Sequence, residues 1–409
     1  MEFLQVDTLE NAREKLLESA TPWLTATEHL PLDQSLGRIA AEDILTGADI
    51  PDFRRSTVDG YAVQSADTAA ASDGVPAFLT VTGQVEMGQP ADFAIKSGEC
   101  AEIATGGMLP EGADAVIMVE YAEPFGPDGV ALYAGVAHGE NVVQIGEDAK
   151  ANTLLLRRGK RILPQDVGAL AAAGIVHVPV VRRPRLTLLS TGDELIPPET
   201  FPQPGQIRDI NTSALGALAQ KIGFEAVETA LVKDNPQILE QAIRIAMKKS
   251  DIVAVSGGSS QGEKDMTRAV FNRIASPGVY THGLAVKPGK PTILGYDAPS
   301  HTLLLGLPGH PVAAMMMFEL LPGWLLRELT GSPAPPAIPA RLSCPVASSP
   351  GKLNCWPAAL TWTGDHYLAE PIFGKSGLIT TLTRADGYFT VDRNTEGART
   401  GQTVLVHLF

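Results

Sequence analysis

The sequence predicts a multidomain α/β plus β protein: a three-layer α/β domain with a mainly parallel sheet, an inserted β-rich domain, a helical, elongated arm domain and a C-terminal β-rich domain. Three observations carry this. At 409 residues the chain is too long for one ordinary core. Between Pro184 and about Leu329, apolar runs alternate with amphipathic helices, the pattern of βαβ units. On either side of that block lie short β-rich runs broken by Gly, Pro and Asp turns.

Residues from about 7 to 45 carry helical spacing at Ala12, Leu16 and Leu17, then a turn-rich segment ending in the extended stretch Arg38 to Ile44. From about Pro51 to Glu147 the runs AFLTVTGQV, CAEIATGG, DAVIMVEYAE and GVALYAGV read as strands of a small inserted domain. ILPQDVGALAAAGI returns to helix, with Pro164 near its start and Gly174 near its end, before the strand VHVPVV. It is expected to rejoin the N-terminal arm. The α/β block follows, then GSPAPPAIP at 331–339, a proline-rich stretch that reads as a linker. The expected division is therefore 1–46 with 148–183 as a discontinuous arm, 47–147 inserted, 184–330 α/β and 331–409 C-terminal.

Composition narrows function before any motif does. With 44% hydrophobic and 19% charged residues the chain is in the globular range. A net charge of −14 repels phosphate backbones and anionic lipid, so neither nucleic acid nor membrane is expected as a partner. Any anionic substrate then needs a local island of Lys or backbone amides. Cys100, Cys344 and Cys355 have no CxxC or metal-ligand spacing and read as reduced, mostly structural thiols. The acidic N-terminus is unlike a secretory signal, and the apolar stretch Val312 to Leu326 is broken by Glu319, Pro322 and Gly323. The expected compartment is the cytoplasm.

In an open parallel sheet, ligands bind beyond the carboxyl ends of the strands. Three strands here run into Gly-rich turns: RLTLLSTGDEL, with Ser190, Thr191 and Gly192; DIVAVSGGSSQGEKDMT, with Gly257, Gly258 and Gly262 ahead of a helix from about Asp265; and LLLGLPGHP, with Pro308 and Gly309 ahead of a helix near Pro311. A single such loop is weak evidence, since Gly also serves ordinary βα turns; three in one sheet favour anion binding. Neither GxGxxG nor GxxxxGK[ST] is present. Glu194, Asp209, Asp234 and Asp265 fall at loop or strand ends, where they either offer oxygen ligands to Mg²⁺ or cap helices and turns; Asp265 stands where an N-cap residue is expected. The cationic island is LAVKPGKP, where Lys287 and Lys290 flank a Pro-Gly turn able to converge two ammonium groups on one oxyanion. In the inserted region Asp59 and Gly60 form a turn, Thr105 precedes two glycines, and Arg54 and Arg55 stand near Asp59. The run Met315 to Phe318 is apolar on all sides, which fits a buried helix or a subunit interface, and plain core is favoured.

In this order, STVDGYAV, TGGMLPEGADAVI, GEDAKAN, STGDEL, KDNP, SGGSSQGEKDMT, LAVKPGKP and GLPGHPVAA closely resemble the molybdopterin molybdenumtransferase family, which includes MoeA and the C-terminal part of gephyrin. The resemblance runs from about residue 5 to the end. It implies a four-domain subunit in a homodimer, with a cleft in which the α/β domain of one subunit faces the inserted domain of the other. The implied reaction is Mg²⁺-dependent use of adenylylated molybdopterin and molybdate, giving molybdenum cofactor and AMP. Family acids match Asp59, Asp148, Glu194, Asp234 and Asp265, Thr105 matches the threonine of the TGG motif, and Lys287 and Lys290 match the KPGK lysines. Glu194, Asp234 and Asp265 are the implied metal ligands, and Ser190, Thr191, Gly192, Gly257, Gly258, Gly262, Pro308 and Gly309 the implied pterin- or phosphate-binding set. Departures fall at His310, in place of Asn, and at Gln261 and Lys264. For His310 a hydrogen-bonded helix-entry role is favoured over substrate contact.

Two other functions fit parts of the same pattern. The α/β block resembles single-domain pterin adenylyltransferases, which ATP and unmodified molybdopterin would distinguish. A non-catalytic gephyrin-like scaffold is disfavoured by the retained acids and lysines. Nothing separates molybdate from tungstate. The adenylylating enzyme of the same pathway is the expected protein partner.

Overall fold

The computed structural model describes residues 6–19, 26–257 and 261–409, and for Val227 and residues 261–265 the backbone alone. Its organising element is a six-stranded sheet with strand order Glu225–Val232, Arg185–Thr191, Ile252–Gly257, Thr302–Leu307, Ile293–Asp297, Pro277–His282. The first four pair in parallel; the last two are added antiparallel. Because Arg185–Thr191, the first strand of this sheet in chain order, lies between the second and the third, the order reverses there. This is a topological switch point, and it places a crevice beside Thr191 and Gly257.

The strands read as continuous apolar runs because both faces are covered. Leu186, Leu188, Ile252 and Ala254 pack towards helices Asn211–Ile222 and Pro311–Phe318. Leu189, Val253 and Val255 pack the other way, against Pro236–Met247 and Gln261–Ile274. Pro236 starts its helix because its φ is preset and its missing N–H is one the first turn leaves unpaired. Asn235 caps it by accepting from the Gln237 and Ile238 amides at 3.0 and 3.1 Å. Of the run expected as core, Met316, Met317 and Phe318 are buried and Met315 is half-buried against the same cluster.

Helix Leu9–Ser19 departs from the expectation of an arm. Its buried face of Leu9, Ala12 and Leu16 joins the core of the six-stranded sheet, alongside Leu186 and Leu284. An amphipathic helix needs a broad apolar surface to cover, and the sheet offers one. The arm proper is smaller: Thr27–Pro31 pairs with His177–Val181 and Ile44–Leu45 with Leu154–Leu156, around helix Pro164–Ala172 and a cluster centred on Ile162, Leu170 and Val178. Residues distant in sequence thus meet in one small core.

Residues 60–132 form a second six-stranded sheet, order Ala115–Met118, Gly60–Val63, Glu99–Ile103, Ala77–Gln84, Gly129–Leu132, Ala122–Phe125. A third carries the C-terminal residues and takes Val286–Lys287 as an edge strand, in parallel with Leu353 and Asn354. The 331–339 stretch is not wholly linker, because strand Ala337–Leu342 starts inside it. Pro339 is accommodated there because only Leu405 pairs with it; the ladder on its other side begins at Ala340. Cys100 and Cys355 are buried, and burial pushes both thiols up to about 12. They are therefore inert core thiols.

Candidate active site

The three Gly-rich turns meet at the carboxyl edge of the first sheet. Gly257 pairs with Thr191, and a Cβ added at Gly257 would stand 2.2 Å from Thr191 Oγ1 and 2.3 Å from its carbonyl oxygen. Only glycine fits that approach. Gly309 lies against Gly257, with its virtual Cβ 3.5 Å from the Gly257 carbonyl carbon. A small cavity beneath them is lined by Gly257, Thr267, Pro291 and Pro308, which brings the end of the KPGKP turn alongside.

A buried polar bridge ties these turns together. Asn211 Nδ2 donates to Ser256 Oγ at 2.7 Å and to the Gly309 carbonyl at 2.8 Å, while Ser256 Oγ donates to the Pro308 carbonyl at 3.1 Å. Ser190 Oγ donates to Asp209 Oδ1 at 2.9 Å, and Asp209 also accepts from the Asn211 amide and from the Thr212 amide and hydroxyl. Asp209 is thus a buried helix cap, the structural one of its two readings. Sequence reasoning missed Asn211 and Ser256. The signal was the pair Asp209 and Asn211, two apart just before a helix.

At the rim, Asp193 and Asp234 interlock: the Asp193 amide donates to Asp234 Oδ2 at 3.3 Å and the Asp234 amide to Asp193 Oδ1 at 3.4 Å. This joins the turns after the first two strands of the block. Glu194 is exposed, and among the described residues its carboxylate has no hydrogen-bond or ion-pair partner. Gly258 and the Asp265 side chain lie outside the described residues. The helix begins at Gln261 rather than at Asp265, because Gln-Gly-Glu-Lys extends it by a turn. Asp265 is therefore its fifth residue, not an N-cap. Gly262 falls in its first turn, whose backbone amides have no partner within the helix. Among the described residues, no group of three or more His, Cys, Asp or Glu side chains is arranged to hold a metal.

The Pro-Gly turn packs onto the helix Pro311–Phe318: Gly289 has φ 133°, and a Cβ there would meet Met317 Sδ at 2.4 Å. Lys287 and Lys290 are both exposed, and the Lys287 ammonium donates to Ser349 Oγ of the C-terminal unit at 3.0 Å. Their convergence on one oxyanion is thus not displayed; Lys287 is held by the neighbouring unit. His310 follows the same logic. Its Nδ1 is 2.7 Å from Ser376 Oγ, and the Ser376 carbonyl accepts from the Val312 amide at 3.1 Å. It is a hydrogen-bonded helix-entry residue, as favoured from the sequence.

In the inserted unit Asp59 and Thr105 form one constellation. Asp59 Oδ1 accepts from the Thr105 amide at 2.7 Å and from its hydroxyl at 3.0 Å, and these bonds hold the carboxyl below its ordinary range. Both residues are exposed. Arg54 instead donates to the Ala113 carbonyl at 3.0 Å, so its charge is not paired with Asp59. Asp148 sits exposed on a loop held by its amide donating to the Ile50 carbonyl at 3.0 Å. Among the described residues neither Asp59 nor Thr105 bonds to the α/β block.

A glycine-lined switch point flanked by carboxylates and by a lysine turn, in a chain of several sheets, defines an α/β protein built to handle anionic small molecules. Three family descriptions match in succession: the MoeA N-terminal region (domain I and II) over residues 7–174, a probable molybdopterin binding domain over 187–327, and the MoeA C-terminal region (domain IV) over 339–409. The molybdopterin molybdenumtransferase of Haemophilus influenzae is 32% identical, covering 98% of both chains, and that of Bacillus subtilis is 32% identical over 93% of this chain and 90% of its own. A crystal structure of a molybdopterin biosynthesis MoeA protein from Pyrococcus horikoshii superposes with a TM-score of 0.85 at 36% identity, covering 99% of each chain. The chain belongs to the molybdopterin molybdenumtransferase (MoeA) family, whose members are enzymes of molybdenum cofactor biosynthesis.

Proposed function

We propose that the chain inserts molybdate into adenylylated molybdopterin with release of AMP. The observation that supports this reading is the meeting of the glycine turns at Gly192, Gly257 and Gly309 at the carboxyl edge of the sheet, beside the crevice of the topological switch point where α/β sheets bind ligands. Opening a phosphoanhydride requires charge neutralisation and positioning rather than a protein nucleophile. Ser190, Thr191, Gly192, Gly257, Gly258, Gly262, Pro308 and Gly309 cradle the pterin phosphate. Lys287 and Lys290 hold molybdate or the negative charge that develops as the P–O bond breaks.

The donor chemistry fits Mg²⁺: Glu194 is an exposed carboxylate without a protein partner among the described residues, and Asp234 lies at the same rim beside Asp193. Glu194, Asp234 and Asp265 would hold the ion, directly or through its waters. When bound, it supplies charge neutralisation at phosphate oxygens. The working form is a homodimer in which Asp59, Thr105 and Asp148 of a second copy supply the opposite wall; the exposure of all three supports this. No described helix is long and apolar enough to cross a membrane. The enzyme works in the cytoplasm, receiving its substrate from the adenylylating enzyme. The division 47–147, 184–330 and 331–409 belongs to this proposal, supported by a separate six-stranded sheet in each, with 148–183 joining the part of 1–46 that follows helix Leu9–Ser19 as the arm.

The test is AMP release from adenylylated molybdopterin, with molybdate and tungstate offered separately, with and without Mg²⁺. Molybdate-dependent AMP release that falls at least 100-fold in Asp265→Ala and Lys287→Ala is expected. Unchanged release in both variants would overturn the assigned roles, and a monomer by light scattering at micromolar concentration would overturn the shared cleft.

A further inference from the structure

At the opposite edge of the same sheet lies a second cationic island, its arginines drawn from three separate parts of the chain. Arg38, Arg182, Arg183 and Arg185 line a cleft of about 570 Å³ together with Glu28 and Glu225. Arg161 joins Arg38, Arg182 and Arg183 in a smaller cleft that adjoins it. Arg185 begins the strand that Thr191 ends, so the cleft is roughly 20 Å from the candidate active site, one strand length away. In a chain of net charge −14, five guanidinium groups facing three carboxylates, Glu28, Glu225 and Asp251, are a local reversal of sign.

Accounting for each group shows which donors remain. Arg38 pairs with Glu28 and donates to the Val181 carbonyl at 2.9 Å. Asp251 accepts from the Arg182 guanidinium at 2.8 Å and from the Arg185 amide at 2.7 Å, with the Arg185 guanidinium at 3.5 Å. Arg161 donates to the Gly37 and Ile222 carbonyls at 2.8 and 3.1 Å, which leaves its charge uncompensated. Arg183, among the described residues, makes no hydrogen bond and no salt bridge. Partial burial and the facing Arg38 and Arg161 lower its proton affinity, while Glu225 and Glu28 oppose this. An unpaired guanidinium held against two like charges is stabilised by an anion, and its planar fork matches phosphate oxygens two at a time.

We propose that this cleft binds a small anion bearing a diphosphate group, at a site separate from the active site. Its volume is in the range of small-molecule pockets. Glu28 and Glu225 in its lining limit the extent of the positive field, which fits a compact ligand better than an extended acidic peptide. The lining comes from both sides of the segment 182–184, which links strand His177–Val181 of the arm to strand Arg185–Thr191 of the sheet. A bound diphosphate therefore bridges arm and sheet.

The test is isothermal titration of the full chain at constant ionic strength with inorganic pyrophosphate and, separately, ADP, in a K287Q/K290Q background that weakens the active site. Pyrophosphate is expected to bind that variant, and addition of R183Q is expected to weaken binding tenfold or more, with R183K intermediate because it keeps the charge and loses the fork. Tighter binding of ADP than of pyrophosphate, lost equally with R183Q, identifies a nucleotide as the source of the diphosphate; equal binding identifies the diphosphate group alone. Unchanged affinity on adding R183Q, no binding of either probe, or binding of a glutamate-rich peptide alone overturns the proposal. Arg183 is exposed and makes no described bond, so a melting temperature equal to that of the parent is expected to confirm that R183Q folds.

Discussion

The two ends of the six-stranded sheet treat charge in opposite ways. At the carboxyl end glycine turns pack closely, Gly257 against Thr191 and Gly309 against Gly257, with carboxylates Asp193, Glu194 and Asp234 at the rim. At the amino end the groups on offer are guanidinium groups, each on a long side chain. The first arrangement is held together by close packing of backbone on backbone. The second gathers its charge from residues as far apart in sequence as Arg38 and Arg185. Glycine turns are visible in a sequence; a cluster assembled by the fold is not.

The largest expected effect tests the close-packed end. Gly257→Ala forces a Cβ against immobile Thr191 backbone, so activity is expected to fall more than 100-fold, with stability lowered on the order of 3 kcal/mol. Gly216, inside helix Asn211–Ile222, meets only Leu188 Cδ1 at 3.8 Å. Gly216→Ala is therefore expected to raise stability by roughly 0.5–1 kcal/mol. Urea unfolding of both variants compares them directly, and a tolerated Gly257→Ala would remove the argument for close packing at the switch point.

Each end also has a buried carboxylate that ties several donors together. Asp251→Ala strips partners from two arginines and an amide, and is expected to cost about 3 kcal/mol. Asp209→Ala loses a helix cap and the Ser190 acceptor, at about 2 kcal/mol. Chemical denaturation decides the order; a loss below about 1 kcal/mol at Asp251 would mean that the arginine end contributes little to the fold.

The α/β block was legible because alternation and glycine turns are local signals. Asp209 and Asp265 were harder, since the same carboxylate serves a cap or a metal, and only the helix start decides: Asp209 precedes its helix, whereas Asp265 is inside one that starts at Gln261. The mates of Lys287 and His310, Ser349 and Ser376, were not legible at all. They arise because Val286–Lys287 joins the C-terminal sheet, a pairing that no periodicity in a two-residue strand announces. The arginine cleft was missed for the same reason: its members are scattered along the sequence and meet only at the arm-to-sheet crossover.

Asp59 extends the contrast to the inserted unit, where an exposed carboxylate is held by one residue. Its carboxyl is depressed by the Thr105 amide first and the hydroxyl second. A depressed folded value means that the ionised form is retained below the ordinary carboxylate range and is lost as pH falls through the lowered value. Thr105→Val removes the hydroxyl and leaves the amide, so the acid limb of activity is expected to move to higher pH while the plateau changes less. Carboxyl NMR titration of Asp59 in both proteins checks this, and coincident curves would show that the hydroxyl contributes nothing.

The smallest effect is expected at His310. The Nδ1 contact with Ser376 Oγ is exposed, and the cap on helix Pro311–Phe318 comes from the Ser376 carbonyl to the Val312 amide, which a side-chain change leaves in place. His310→Ala is therefore expected to cost less than about 1 kcal/mol and to change kcat/KM less than threefold. His310→Asn, which places there the residue expected from the family resemblance, is expected to match the parent. A large loss of kcat in His310→Ala with unchanged stability would instead assign the ring to the substrate, and would make the C-terminal unit a direct participant in the site rather than a support for the turn that precedes the helix.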